Sequence, residues 1–415
     1  MRREYRFAGS ARDGAAGRGG MTESLARAPQ AVDPKAAKER DCGAWRVVIR
    51  DIGSAGAAAL HGLSSAVDLP RAEAVRRCLQ APSTLVDGLS AERARAVVGV
   101  LGEMGLNAAA EPAESGFEEG VGDREVALVI NDFRRCRELL QAVIALTGQA
   151  PQQAIATLRQ TPCVLLGQLS AASVTALRER FAACGASLDQ SQSERARYDL
   201  LLQTESAAAA ADFERFARTA GQLPLRSQAG GRHSLVATDL QPDAARELWR
   251  EAGERRLDCQ IVNQDFQRFD IRLQAAPAAQ HAALAELLER ECAIPASKFP
   301  RLVGHLPLVV ARQRSRAHCL ALLAALQALG VAAEAEMTAS LRFDLQIRSL
   351  GEAAQRCRQL LVDLGALPAG CDDAGLRRRL PGGSGLLRGP FSYNQAHWLL
   401  AELKAAGASA ALSKR

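Results

Sequence analysis

A proline, a serine eight residues later and a glycine fifteen residues beyond that recur along this chain of 415 residues. The spacing holds for Pro82, Ser90 and Gly105, for Pro162, Ser170 and Gly185, and for Pro307, Ser315 and Gly330. Ser392 and Gly407 repeat the second interval, with Pro381 eleven residues before the serine. Each residue type has a mechanical reason to stand where it does. Proline stops a helix, a serine oxygen caps the free amides that open the next one, and glycine supplies a left-handed exit. Fifteen residues from cap to exit is about four helical turns. The recurrence therefore reads as duplicated structure, with Ser170 a helix cap and not a nucleophile.

Around each ruler the same order of elements is expected. Unit 2 begins with the strand "EVALVIND" and the helix "FRRCRELLQAVIALTG". It continues through "APQQAIATLRQ", the extended "CVLLGQL", a Ser-capped helix and a closing strand. The boundaries follow as unit 1 over 44–112, a linker over 113–123, unit 2 over 124–191, unit 3 over 192–264, unit 4 over 265–339 and unit 5 over 340–415. Unit 3 is the divergent copy: Arg256 replaces the exit glycine, and "LPLRSQAGGRHSLVATDL" replaces the middle helix. In unit 5 "GGSGLLRGP" reads as a lengthened turn. Residues 1–43 have no sustained period and read as a disordered leader, with Met21 an alternative start. The fold class is α+β. Five tandem small domains are expected, each a two- to three-stranded sheet covered on one face by about three helices, in the order β-α-α-β-α-β. Short connections suggest that units 3–5 stack as a rod.

Composition narrows the function. The formal charge is +6, but Arg (47) far outnumbers Lys (five) in an Ala-rich chain, a bias that fits a GC-rich bacterial genome. The ten cysteines include no C-x-x-C pair. Cys78, Cys136, Cys184, Cys319 and Cys357 fall at apolar-periodic positions, as reduced core thiols do. No apolar run reaches membrane-spanning length, so a cytoplasmic protein without membrane insertion is expected.

The unit 2 stretch from Glu138 to Asp189 resembles the C-terminal domain of the bacterial ribosomal stalk protein (L-seven/L-twelve). Thr147, Gly148, Pro162, Ser170 and Gly185 stand at that family's helix-ending, capping and exit positions. Unit 1 matches over "EAVRRCLQAPSTLVDGLSAERARAVVGVLGEMG", and units 4 and 5 match more loosely. The resemblance implies the β-α-α-β-α-β fold and, in the family, recruitment of translational GTPases by basic residues on the first two helices. Here those positions carry Gln141, Ile144, Gln152 and Ile155 in unit 2. The first-helix pair becomes His61 and Ser64 in unit 1 and Glu286 and Glu289 in unit 4. A surface turned neutral or acidic should lose an acidic partner. The same fold serves the Clp protease adaptor, whose acidic and histidine pocket has no counterpart here.

Candidate site residues are few. Arg377, Arg378 and Arg379 precede a glycine-rich turn and are candidates for phosphate or nucleic-acid contact, set against a solvated helix end. Trp249 and Trp398 lie at similar depth in the last helices of units 3 and 5. They are candidates for a partner anchor, set against core packing. His61, His233, His281, His305, His318 and His397 recur at no equivalent position, and His318 and Cys319 point about 100° apart on a helix. "GFEEG" in the first linker reads as solubilising. No catalytic residue, metal ligand or cofactor is expected. Duplication of a small binding fold favours a non-enzymatic, multivalent scaffold or adaptor for protein partners. The alternatives are ribosome or nucleic-acid association through arginine-rich faces, and an enzyme with an unrecognised site in unit 3 or at its border with unit 4.

Overall fold

The first strand of every unit lies at the centre of its own sheet, and its alternating apolar residues explain why. In "EVALVIND", Val126, Leu128 and Ile130 enter the core beneath the unit's helices, while Ala127 and Val129 face the other way. A computed structural model describes residues 45–66, 69–203, 233–257, 259–351 and 354–415, with three isolated positions between 204 and 232. The leader over 1–43 and the first helix expected in unit 3 lie outside the described residues.

Unit 1 runs β1 (Trp45–Asp51), α1 (Ala57–Ala66), α2 (Arg71–Leu79), β2 (Ser83–Leu89), α3 (Ala91–Glu103) and β3 (Asn107–Pro112). Unit 2 runs β4 (Arg124–Ile130), α4 (Cys136–Thr147), α5 (Pro151–Leu158), β5 (Cys163–Leu169), α6 (Ala171–Ala182) and β6 (Ala186–Gln192). Unit 3 shows β7 (Tyr198–Gln203), β8 (His233–Leu240), α7 (Pro242–Glu254) and β9 (Cys259–Asn263). Unit 4 runs β10 (Arg268–Ala275), α8 (His281–Cys292), α9 (Phe299–Val303), β11 (Leu308–Ser315), α10 (Arg316–Ala328) and β12 (Ala332–Met337). Unit 5 runs β13 (Phe343–Ser349), α11 (Ala354–Asp363), α12 (Asp373–Arg379), β14 (Gly385–Phe391), α13 (Tyr393–Ala405) and β15 (Ser409–Lys414). Each unit has a three-stranded antiparallel sheet with its first strand in the middle, as in β2-β1-β3.

The ruler works as its chemistry requires. The hydroxyls of Ser90, Ser170, Ser315 and Ser392 accept the backbone N–H three residues on, at 3.2–3.4 Å. Gly105, Gly185, Gly330 and Gly407 have φ between 66° and 86°, and Arg256 holds the same place in unit 3 at 57°. Sheet register corrects the reading of unit 5. The residue paired with Ile49, Leu128, Leu202, Leu273 or Ile347 of the central strand lies seven before the cap in every unit: Ser83, Cys163, Ser234, Leu308 and Gly385. "LLRGP" is therefore strand, not turn, and Ser384 stands where units 1, 2 and 4 have their proline. In unit 3, "HSLVATDL" is likewise the second strand of its unit, so the sheet is complete there too.

The connector over 113–123 also differs from a free solubilising linker. Arg46 lies over the Phe117 ring at 4.3 Å, and Gly120 donates its N–H to Pro82 O at 2.7 Å. A Cβ on Gly120 would collide with the Gln80 carbonyl, so only glycine allows this approach. The cores do not stay separate either. One apolar cluster runs through units 1, 2 and 5, whereas unit 4 keeps its own and unit 3 has a small one. Unit 5 thus leaves the expected rod and packs back on unit 2.

Replacing Gly330 by Ala is expected to cost about 1–2 kcal/mol, the penalty of a left-handed Cβ with open space around it. Gly105→Ala should cost more, because its Cβ would lie 2.6 Å from Ser54 Oγ. Arg256→Gly should be neutral or stabilising. Thermal unfolding of the three variants checks the order.

Candidate interaction surfaces

The last helix of a unit does more than cover its own sheet. In unit 2 the start of α6 meets the end of α2 in unit 1. Ser170 N donates to Leu79 O at 3.0 Å, Ser170 Oγ donates to Ala81 O, and Ser173 Oγ donates to Cys78 O at 3.3 Å. Three turns along, Arg180 donates to Ala55 O at 2.9 Å, at the start of α1. In unit 5 the start of α13 meets the end of α5 in unit 2 in the same manner. Ser392 Oγ donates to Arg159 O, Asn394 Nδ2 donates to Gln160 O, and Asn394 N donates to Thr161 Oγ1 at 3.1 Å. Glu402, ten residues after its cap as Arg180 is after Ser170, takes a bidentate pair from Arg137 at 2.7 and 2.9 Å. That hydrogen bond raises the Arg137 pKa, and the Glu402 carboxylate is buried. A carbonyl at a helix end has no intrahelical partner, so it is a standing acceptor for a capping serine from a neighbour.

Around this docking, Phe133 of unit 2 stacks on His397 at 5.3 Å, and His397 stacks on Tyr393 at 4.1 Å. Burial among these rings pushes the His397 pKa down to about 4, with the Arg312 charge adding to the effect. The imidazole is therefore neutral in the folded chain near neutral pH.

A second surface joins units 2, 3, 4 and 5 through the sheet faces turned away from their helices. The strands of units 3, 4 and 5 open with Arg197-Tyr198-Asp199, Arg268-Phe269-Asp270 and Arg342-Phe343-Asp344. This Arg–aromatic–Asp signature is visible in the sequence, and attention to caps and breakers passes over it. Asp199, Asp270 and Asp344 point away from the helices and accept the backbone N–H of Asp239, Gln313 and Gly389, at 2.9–3.2 Å. Asp239 and Gln313 carry positive φ, so the carboxylate fastens a bulge in the unit's second strand. Asp199 also accepts from Thr238, Gln264 and Gln267, and Arg316 of unit 4 approaches it at 3.4 Å. Arg268 reaches across to Asp189 of unit 2, with Nε donating at 2.7 Å. Burial raises the Asp189 pKa even against that partner, and burial likewise raises Asp270. Ala127, Val129, Asp189, Arg268, Gln313 and Tyr393 surround a cavity of about 20 Å³ at this junction, room for a single water.

The residues singled out in the sequence are scattered. Arg377, Arg378 and Arg379 are exposed at the end of α12. Trp249 is half-buried on α7, while Trp398 is buried in α13 with its indole N–H 3.4 Å from Glu402, so its ring is inaccessible to a partner. Burial pushes the thiols of Cys78 and Cys163 up to about 12 and raises those of Cys136 and Cys319, which disfavours the nucleophilic thiolate. Among the described residues no group of three His, Cys, Asp or Glu side chains is placed to hold a metal, and no helix is long and apolar enough to cross a membrane. No protein-family profile matches the chain, and no curated protein or solved structure matches it at a significant level.

Arg137→Ala leaves a buried carboxylate unpaired. It should weaken the unit 2–unit 5 docking by about 1–2 kcal/mol, below the cost of a fully buried pair because Arg137 is 59% exposed. Exchanging the charges (Arg137→Glu with Glu402→Arg) should recover part of this in a double-mutant cycle of melting temperatures. His397 sets a pH dependence. Its folded pKa lies below the unfolded value near 6.5, so its contribution is full above 6.5, declines as pH falls, and is exhausted below about 4. Asp270 and Asp189, raised by burial, work in the opposite sense at acid pH. The check is therefore the difference between wild type and His397→Asn, whose melting temperatures should converge as pH drops through that window.

Proposed function

We propose that the protein is a non-enzymatic scaffold for protein–protein interaction, built from five units of a stalk-domain-like pattern. The observation that carries this reading is the repeated use of one element as a docking device. The capped last helix of a unit is seated on the helix ends of another unit twice, by side chains meeting backbone carbonyls. A surface that accepts such a helix without demanding a particular side-chain code suits recognition of further helical partners. The chain is a folded-back body in which units 1, 2 and 5 share a core, so its binding faces are held in fixed relation rather than strung on flexible linkers.

The arginine content supports the nucleic-acid alternative less than its number suggests. Arg76, Arg77, Arg134, Arg135, Arg137, Arg250, Arg255 and Arg268 are all engaged by carboxylates of this chain. The charge of these eight is matched locally by carboxylates, and Arg377, Arg378 and Arg379 form an exposed cluster outside those pairs.

Full-length protein purified from its native cells is expected to retain protein partners after nuclease treatment and at moderate salt. Changing Arg377, Arg378 and Arg379 together to Glu should leave that recovery unchanged. Release of every partner by nuclease, or RNA binding that falls steeply with salt, would establish the alternative. Turnover on a substrate panel would overturn the reading altogether.

A further inference from the structure

The two internal dockings share the cap and the tenth residue beyond it on the inserting helix, and the end of the second helix as receiver, so they define where a like contact can form again. On the inserting helix the shared positions are the cap and ten residues beyond it, Ser170 and Arg180 in unit 2 and Ser392 and Glu402 in unit 5; between them unit 2 uses Ser173, three beyond its cap, and unit 5 uses Asn394, two beyond. In unit 1 the cap and the residues two and ten beyond it are Ser90, Glu92 and Val100. Val100 is 54% exposed, the position at which Glu402 and Arg180 reach a neighbouring unit.

The receiving positions are equally traceable. Counting back three from the proline gives Leu79, Arg159 and, in unit 4, Gly304. Counting back two gives Gln80, Gln160 and His305. The left-handed C-caps Gly148 and Ala293 both lie twelve residues after the first residue of their helices, so Ala282 of α8 stands where Arg137 stands in α4. Unit 4 is open at this place. An apolar groove of about 450 Å³ lies between α8 and α9, lined by Ala282, Ala285, Phe299 and Val303 among others. Gly304 has no side chain to shield its carbonyl, and the nearest atoms to its missing Cβ are 3.6 Å away. Unit 5 is closed at the same place, because Leu380 O and Pro381 O accept Gly383 N and Ser384 N within their own turn.

We propose that α3 of one copy docks into the α8–α9 groove of a second copy, reproducing between chains the contact that joins unit 2 to unit 1 and unit 5 to unit 2. Three matched pairs carry it. Ser90 caps onto the Gly304 carbonyl, Glu92 faces the His305 imidazole, and Val100 meets Ala282. At the last position the unit 2–unit 5 interface has an Arg–Glu pair, and both free surfaces carry apolar residues there instead. Inserting and receiving surfaces are different patches of the molecule, so the contact is heterologous and each added copy presents a new free end. The inference rests on the helix-docking reading of the preceding subsection.

Sedimentation of the full chain across a concentration series is expected to show a weight-average mass that climbs past the dimer. Val100→Glu and Ala282→Glu, both at exposed helix positions, should each weaken association at least about tenfold, with unchanged circular dichroism. The decisive sample is their equimolar mixture. One variant keeps only a receiving surface and the other only an inserting one, so together they should stop at a 1:1 dimer. A wild type that stays monomeric, variants that associate like wild type, or a mixture that stays monomeric would each overturn the proposal. A monomeric wild type that still recovers nuclease-resistant protein partners would leave the scaffold reading standing, so the two failures are distinguishable.

Discussion

A three-stranded sheet with helices on one side leaves its other side bare, and covering that side is the constraint on which the arrangement of units depends. Val48, Ala127, Val129, Leu201 and Val262 are not held by their own unit's helices, yet all are buried. In unit 1 the connector lies on that face through Phe117. In units 2 to 4 neighbouring units supply the cover, with Ala339 of the unit 4–unit 5 connection closing against Leu201 and Val262. Small units of this kind bury too little surface to stand well alone, so contact between units is a stability requirement before it is anything else.

The polar residues at these contacts follow from the same constraint. Once a face is covered, strand positions that would have met water must find partners or be lost as buried unsatisfied groups. Asp199, Asp270 and Asp344 answer this within the unit by fastening the bulge opposite. Arg268 and Asp189, or Ser191 with Asn263 and Asp265, answer it across units. Such bonds contribute modest net stability but strongly penalise any other register, which makes the junction a source of specificity.

How much of this was legible in the sequence depended on whether a feature was local. Caps, breakers and exits act within one turn of chain, so Ser90, Ser170, Ser315 and Ser392 announced themselves. The central strands were readable from their alternation, but the second strand of unit 5 was obscured by a proline at the wrong place. Only the pairing of Gly385 with Ile347 shows that Ser384 occupies the proline position. The docking of α13 on unit 2 left no signature, because its acceptors are backbone carbonyls and its donors were already explained as caps. The Arg–aromatic–Asp triplets were present three times, but an aspartate is uncommon inside a strand and its purpose appears only when the opposing bulge is seen.

The pairing of Arg137 with Glu402 joins residues 265 apart in the chain. At ribosomal rates of about 5–20 residues per second, the helical face of unit 2 waits roughly 13–50 s for its cover to be synthesised. During that interval the nascent chain displays the surface it later conceals, and a chain terminated early displays it permanently. The arrival of α13 thus changes what unit 2 presents, from a row of open helix ends and a bare arginine to a sealed contact.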